Sequence, residues 1–221
     1  ETATNTLQVT ATSSNTALIP NANPTFVGPN FSLTLRPVAN QFGQATITVT
    51  ADDGQGGVQT STFLVTVDPV NDIPSFTKGG DQAVLEDVGA RTVTGWATAI
   101  SAGPTNESNQ AVDFIVTTNN DAFFSVLPTV SASGTLTYTP APNANGSAVV
   151  TVQIHDDGGT TNGGVNLSGS QSFNIVVTAV NDVPSFSKGE NVTTLGDGVQ
   201  KTFAGWATNR SAGPADESGQ M

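Results

Sequence analysis

Cysteine is absent from this chain of 221 residues, so no disulfide staples it and its folding is indifferent to the redox state of its compartment. Stability must come from packing, with a bound metal as the remaining aid. Basic residues are scarce too: six Lys and Arg stand against eighteen Asp and Glu, a net charge of −12. Such a chain cannot neutralise a phosphate backbone, which excludes nucleic acid as a partner, whereas its acidity suits divalent cations. No apolar run reaches the roughly 18 residues of a membrane-spanning helix, and no leader segment is visible. Strong helix formers are few, and no apolar period of 3.6 persists anywhere. Thr, Ser, Gly, Asn and Val dominate instead, a composition of strands and turns.

The sequence repeats itself. "NDIPSFTKGGD" begins at Asn71 and "NDVPSFSKGEN" at Asn181; "GWATAISAGPTNES" begins at Gly95 and "GWATNRSAGPADES" at Gly205. Both pairs lie 110 residues apart, from 71 to 181 and from 95 to 205. Upstream, "LTLRPVANQFGQATITVTADDGQGG" from Leu33 parallels "LTYTPAPNANGSAVVTVQIHDDGG" from Leu136. Repetition in one order over this length marks a tandem architecture.

One unit is complete, 73–180. Alternation and turn residues predict strands at 82–85, 91–98, 111–118, 134–140, 148–155 and 172–180, with a shorter one at 122–126. Seven short strands between Gly, Asn, Pro and Asp turns predict an all-β chain of tandem antiparallel Greek-key β-sandwiches, the terminal ones incomplete. Trp96, Phe114, Tyr138, Val152 and Phe173 are the expected core of the middle one. With strands lettered A to G, residues 1–70 carry C to G, residues 71–72 and 181–182 are linkers, and residues 183–221 carry A and B. Glu1, Glu107 and Glu217 fall at equivalent places in the turn between B and C.

The stretch "VTADDGQGGVQTSTFLVTVDPVNDIPSF" (49–76) resembles the end of a cadherin repeat with its linker. It is still more similar to the cadherin-like or Ig-like tandem repeats of large bacterial extracellular surface proteins, the tandem-repeat adhesins. The resemblance implies Ca²⁺ at the repeat junctions, held by Asn71 and Asp72, Asn181 and Asp182, the acids Asp52 and Asp156 of the two "DDG" turns, and Glu86. On that reading Asn71, Asp72 and Asp156 meet at one junction with Glu107 near, and Glu86 lies close to Asn181 and Asp182 at the other. This chain departs from the family pattern in its shorter linkers, in Thr178 where Asp68 has its counterpart, and in Gly196 where Glu86 has its own. The alternative reading is that these acids cap turns, as Asp and Asn do beside Gly.

Nothing points to catalysis. His155, the only histidine, is matched by Ala51 in the first unit, so the repeat does not require it, and it reads as a surface residue. "DDGGTTNGG" is followed by neither Lys nor helix and reads as a turn rather than a phosphate loop. Trp96 and Trp206 read as buried anchors rather than a sugar-binding platform. The predicted role is a structural subunit of an extracellular or cell-surface fibre, whose partners are further copies of itself joined head to tail. Strands A and B of one molecule would complete the incomplete sandwich of the next, with Glu1, Leu7, Val9, Phe203, Trp206 and Glu217 at the joint. The alternatives behind it are a window of one continuous tandem array, an adhesive module for cell-surface carbohydrate or protein, and a spacer attached to a secreted enzyme.

Overall fold

In the computed structural model the described residues are 7–21, 25–27 and 30–220, so Glu1 lies outside them. Among the described residues sixteen strands follow in chain order. They are β1 (Gln8–Ser13), β2 (Thr25–Val27), β3 (Asn30–Ser32), β4 (Gly43–Asp52), β5 (Val58–Val67), β6 (Ser75–Thr77), β7 (Gln82–Leu85) and β8 (Arg91–Val93). Then come β9 (Thr98–Ser101), β10 (Val112–Thr118), β11 (Phe124–Val130), β12 (Leu136–Pro140), β13 (Gly146–Asp156), β14 (Gln171–Thr178), β15 (Ser185–Lys188) and β16 (Ala207–Ser211). The chain forms two compact units. One holds the segment through Pro74 together with 101–111 and 156–166; the other holds 75–100, 112–155 and the segment from Leu167 onward.

The second unit contains a full sandwich. One sheet runs β10-β13-β14-β7 and the other β11-β12-β8. Strict alternation builds it: Ala148, Val150, Val152 and Ile154 of β13 are buried while their neighbours are not, because successive side chains leave opposite faces of a strand. Phe173, Ile175 and Val177 of β14 line up beside them, Val150 opposite Phe173. Leu136 and Tyr138 of β12 close the core from the other sheet. The Trp96 ring packs on Phe173 with centroids 4.5 Å apart. Each such large apolar side chain contributes about 1.5–3 kcal/mol of burial, which lets the sandwich stand without disulfides.

Three details differ from the sequence expectation. The strand predicted at 91–98 breaks into β8 and β9, because Gly95 takes a left-handed φ of 66° and turns Trp96 inward, where its indole N–H donates to the Gly80 carbonyl at 3.1 Å. The strand predicted at 122–126 begins with a single 3-10 turn, Asp121–Phe123, and then runs on to Val130. Phe114 is only half-buried, since it sits on the edge strand β10 and meets Phe76 edge-on at 5.1 Å.

One pairing is parallel: β7 adds to β14 with Ile175 opposite Gln82 and Thr178 opposite Leu85. Asp81 sets its start, accepting the backbone N–H of Asn174 at 2.8 Å and the side-chain amide of Asn174 at 3.2 Å. These donors, the backbone one foremost, hold the Asp81 carboxyl below its ordinary 3.8. A depressed carboxyl contributes stability above about 3.8 and loses it as pH falls through the lowered value. Asp81→Ala should therefore lower the melting temperature at pH 7, and the deficit should vanish well below pH 3.8, as thermal melts at the two pH values will show.

Residues 183–220 fold like the start of the middle repeat without its cover. β15 pairs with β16, and the Trp206 indole N–H donates to the Glu190 carbonyl at 3.1 Å, as Trp96 does to Gly80. Gly189 lies against Trp206 as Gly79 lies against Trp96, neither with room for a Cβ. Yet Trp206 is 41% exposed against 3% for Trp96, and Phe186 and Phe203 are exposed as well. The expectation of a buried Trp206 fails because no sheet lies over it among the described residues.

In the first unit, sheet β1-β4-β5 repeats the order β10-β13-β14. Ala45 and Ile47 of β4 are buried with Ala11, Leu18 and Ile19, and Ile47 faces Phe63 across the ladder as Val150 faces Phe173. Leu7 and Val9 are half-buried. Among the described residues no strand takes the place beside β5 that β7 takes beside β14. Phe63, 43% exposed, is the counterpart of Phe173 at 2%.

Candidate functional site

The first candidate site lies within the first unit, where the linker Asn71–Asp72 meets the loops 101–111 and 156–166. Asn71 is its hub. Its side-chain amide donates to Asp156 Oδ1 at 2.9 Å and to the Val165 carbonyl at 2.9 Å, and its Oδ1 accepts from Gln110 Nε2 at 2.8 Å. Asp156 ends β13 in a tight turn, with the Gly158 N–H on its Oδ1 at 3.0 Å. Gly158 lies so close to Asn71 that a Cβ there would collide with its Oδ1. Glu107 reaches back from the 3-10 turn Thr105–Glu107 and takes the Asp72 backbone N–H on Oε1 at 3.0 Å. Gly103, which has no room for a Cβ, backs its other oxygen. The loop that does this is held by Ser101, whose hydroxyl donates to the Gly103 carbonyl at 2.8 Å.

Three buried acceptors are left over here: Oδ2 of Asp156, Oε2 of Glu107 and Oε1 of Gln110 have no hydrogen-bond donor. Asp156 is fully buried and Glu107 nearly so. An open cavity of about 510 Å³ is lined by Asp68, Asn71, Glu107, Gln110 and Gly158 among others. Buried carboxylate oxygens without a donor are strongly unfavourable unless something positive meets them. No basic side chain does: the ion pairs among the described residues are His155–Asp113 and Lys201–Asp197.

The second candidate site, within the second unit, repeats the first in part. The Asp182 backbone N–H donates to Glu217 Oε1 at 2.7 Å, as Asp72 does to Glu107, and Gly213 backs Glu217 as Gly103 backs Glu107. Glu86, nearly fully buried, accepts the Val180 backbone N–H on Oε1, while its Oε2 has no donor. Asp182 Oδ2 is likewise shielded and without a donor. Desolvation pushes the Asp182 carboxyl above its ordinary value, and Glu217, Asp87, Glu86 and Asp216 push it further in the same direction. Asn181, unlike Asn71, is exposed, and its amide turns to the Asp182 carbonyl at 2.9 Å.

Of the residues expected at metal, Asn71, Asp72, Asp156 and Glu107 share the first site, and Glu86 and Asp182 share the second with Glu217, which was expected at the joint, while Asn181 turns away. Asp52 joins neither; its Oδ1 accepts the Gly54 N–H at 2.7 Å in the same kind of turn as Asp156. Gln110, Asp87 and Asp216 escaped sequence reasoning. The signal for Gln110 was present, since "ESNQ" and "ESGQ" put Gln110 and Gln220 at the same 110-residue interval. His155 pairs through Nδ1 with Asp113 at 2.8 Å. Among the described residues no group of three or more His, Cys, Asp or Glu side chains is arranged as a metal centre. Neutral oxygens, from Gln110, Asn71 and the backbone, are therefore essential to any cation held here.

No family model and no curated protein matches the chain. Solved structures do. The EC22-24 fragment of mouse cadherin-23 aligns with a TM-score of 0.50 at 19% identity, covering 83% of this chain and 58% of that one. The EC1-2 fragment of human protocadherin-24 aligns with a TM-score of 0.48 at 16% identity, covering 79% and 84%. Drosophila N-cadherin EC1-4 gives 0.45 at 19%, covering 78% and 41%. The fold is an all-β one of open, cadherin- or Ig-like sandwiches, antiparallel but for the pairing of β7 with β14. Among the described residues no helix is long and apolar enough to cross a membrane.

Proposed function

We propose that this chain is a structural stretch of an extracellular repeat shaft of the bacterial tandem-adhesin kind. Its repeats are 1–70, 73–180 and 183–221 with linkers 71–72 and 181–182, and copies join head to tail by completing one another's sandwiches. One observation carries the reading. Phe173 and Trp96 pack ring on ring in the core of the middle repeat, while their counterparts Phe63 and Trp206 are exposed on separate parts of the chain. The segment 183–220 holds Trp206 in the same local frame as Trp96, and the outer edge of β5 offers the backbone groups that β14 gives to β7. Trp206 of one copy over Phe63 of another restores the missing pair, with Phe203 alongside. Strand addition of this kind takes its affinity from backbone ladders and its specificity from inward side chains. A contact that does not close on itself propagates into a filament.

Calcium belongs to the same proposal, because the residues present fit it. Asp156 and Glu107 at the first site, and Asp182 and Glu217 at the second, would hold the ion together with neutral amide and backbone oxygens, Gln110 among them at the first. Hard oxygens, carboxylate and amide, are the donors that Ca²⁺ takes. When bound, the ion neutralises the clustered acids and fixes the linker to the loops around it. Asn71, Asp72, Asn181 and the glycines behind Glu107 and Glu217 position these donors.

Deleting residues 183–221 tests the assembly. Sedimentation velocity should show concentration-dependent oligomers for the chain of 221 residues and a single slow species for the truncated one. Oligomers that survive the deletion would refute strand exchange.

A further inference from the structure

The outer face of sheet β1-β4-β5 carries a pattern that neither the core nor the linkers use. Ala11, Ala45 and Ile47 are buried in the first sandwich, so their strand neighbours lie on the opposite, solvent side. The register puts Thr10, Thr50 and Thr60 in one row across the three strands, and Thr12, Thr48 and Thr62 in the next. Beyond them Thr46 lies between Ser14, whose hydroxyl accepts the Thr46 N–H at 2.9 Å, and Leu64. Thr10, Thr12, Thr60 and Thr62 are exposed, and Thr48 and Thr50 of the central strand are half-buried between them. No charged side chain stands in these rows, in a chain whose net charge is −12.

The fold alone does not demand such a face. With Ile47 matched to Val150, the places of Thr46, Thr48 and Thr50 are taken in the middle repeat by Val149, Thr151 and Gln153, and Val149 is opposite Asn174. There the Thr151 hydroxyl pairs with that of Ser172, 3.1 Å away. Among the described residues the hydroxyls of the two all-threonine rows bond to no other side chain, which leaves each of them to water.

We infer that this threonine face binds ice. Strands about 4.7–4.9 Å apart, with same-face residues two rises of about 3.4 Å apart along each, set the hydroxyls on a near-rectangular net. Its short and long edges lie close to the two repeat distances of oxygen on the prism faces of hexagonal ice. Over two rows a twist of roughly 20–25° between strands lifts the corners of the net from a plane by only about 1 Å. β-Branching restricts each Thr at χ1, so the net is stiff before it meets a surface. Every position offers both parts that solid water takes: a hydroxyl that stands in for a lattice water, and a methyl that sheds the ordered shell around it. Other ligands fit worse. Sugar surfaces are gripped by flat aromatic rings, and none stands in these rows. Protein hot spots draw on Trp, Tyr and Arg, while Thr, Ser and Leu are under-represented in them. The outward side of the sheet is the same whatever adds to the edge of β5, so ice binding is independent of the head-to-tail joint.

Partition into slowly growing ice tests it: an ice shell is frozen from a stirred solution of the chain, and the protein in the melted shell is compared with that left in solution. An advancing ice front pushes ordinary solutes ahead of it. The chain should enter the shell several-fold more than an acidic globular protein of the same size. Thr48→Lys should return it to exclusion, and so should Thr62→Tyr, which places a good strand former at an exposed position and keeps the melting temperature near that of the parent. Thr151→Lys, on the matching face of the middle repeat, should leave partition unchanged. A parent chain excluded from ice would overturn the inference. Enrichment that survives both Thr48→Lys and Thr62→Tyr, or that Thr151→Lys abolishes as well, would overturn it by placing the contact elsewhere. Exclusion from ice together with sedimentation on microcrystalline cellulose or chitin, lost in the same two variants, would replace ice by polysaccharide.

Discussion

Trp96→Ala should destabilise the middle sandwich by about 3–5 kcal/mol, the range for truncating a buried large aromatic side chain. That is a large share of the roughly 5–15 kcal/mol a domain of this kind possesses. Trp96 is 3% exposed, packs on Phe173 and gives its indole proton to Gly80, so its loss opens a cavity and strands a carbonyl. The same substitution 110 residues later should behave oppositely. Trp206→Ala removes a ring that is 41% exposed in the lone chain, and the monomer should lose much less than Trp96→Ala costs the middle sandwich. Its effect should appear in association, where a ring that becomes buried in the joint carries much of the energy. Chemical denaturation of each variant at low concentration, followed by sedimentation at high concentration, separates the two effects. A Trp206→Ala chain that is destabilised as a monomer and still associates would contradict the assignment of its exposed face.

Calcium should raise the stability of the chain by about 1.4–2.7 kcal/mol at concentrations some ten to a hundred times its dissociation constant, by mass action on the folded state. The donorless oxygens of Asp156, Glu107, Glu86 and Asp182 are the reason, since the ion relieves an electrostatic penalty that the protein itself does not offset. Gly103→Ala should remove the part of this increment owed to the first site. A methyl at 103 collides with the Glu107 carboxylate and moves it off its bond with Asp72, while touching nothing in the sandwich core. Calorimetric titration at low protein concentration, with the parent and Gly103→Ala side by side, checks both. Identical melting curves with and without calcium would remove the ion from the account.

The repeat was legible because the residues that recur are ones whose geometry leaves little choice. "NDxPSF" and "GWAT" return at a constant interval since a linker, a glycine turn and an inward Trp must return together. Alternation in β12, β13 and β14 showed directly as strands, each burying one face. The break between β8 and β9 was hidden, because Gly95 inside an alternating run reads as strand until its backbone is seen to be left-handed. Trp206 was hidden for a different reason. Its local sequence matches that of Trp96, and burial is set by what packs over a residue rather than by its neighbours in sequence. At the sites, charge marked Asp156, Glu107 and Glu86, whereas Gln110 carries no charge and was passed over despite an orphaned oxygen beside the same linker. The parallel pairing of β7 with β14 joins segments about ninety residues apart and leaves no local trace.

The central claim is that the segment 183–220 of one copy lies along β5 of another, and a pair of cysteines in this cysteine-free chain measures it most directly. In the middle repeat Val176 of β14 is opposite Ala83 of β7, and the counterparts of these residues, 110 positions away, are Thr66 and Thr193, both exposed. Neighbouring strands lie about 4.7–4.9 Å apart, inside the roughly 4.4–6.8 Å that a disulfide spans between Cα atoms. Thr66→Cys and Thr193→Cys chains, mixed in calcium under mild oxidation, should yield a mixed dimer in excess of either self-linked dimer. The double variant should yield a ladder of covalent oligomers. A mixture that gives only self-linked dimers in random proportion, with the double variant staying monomeric, would contradict the account.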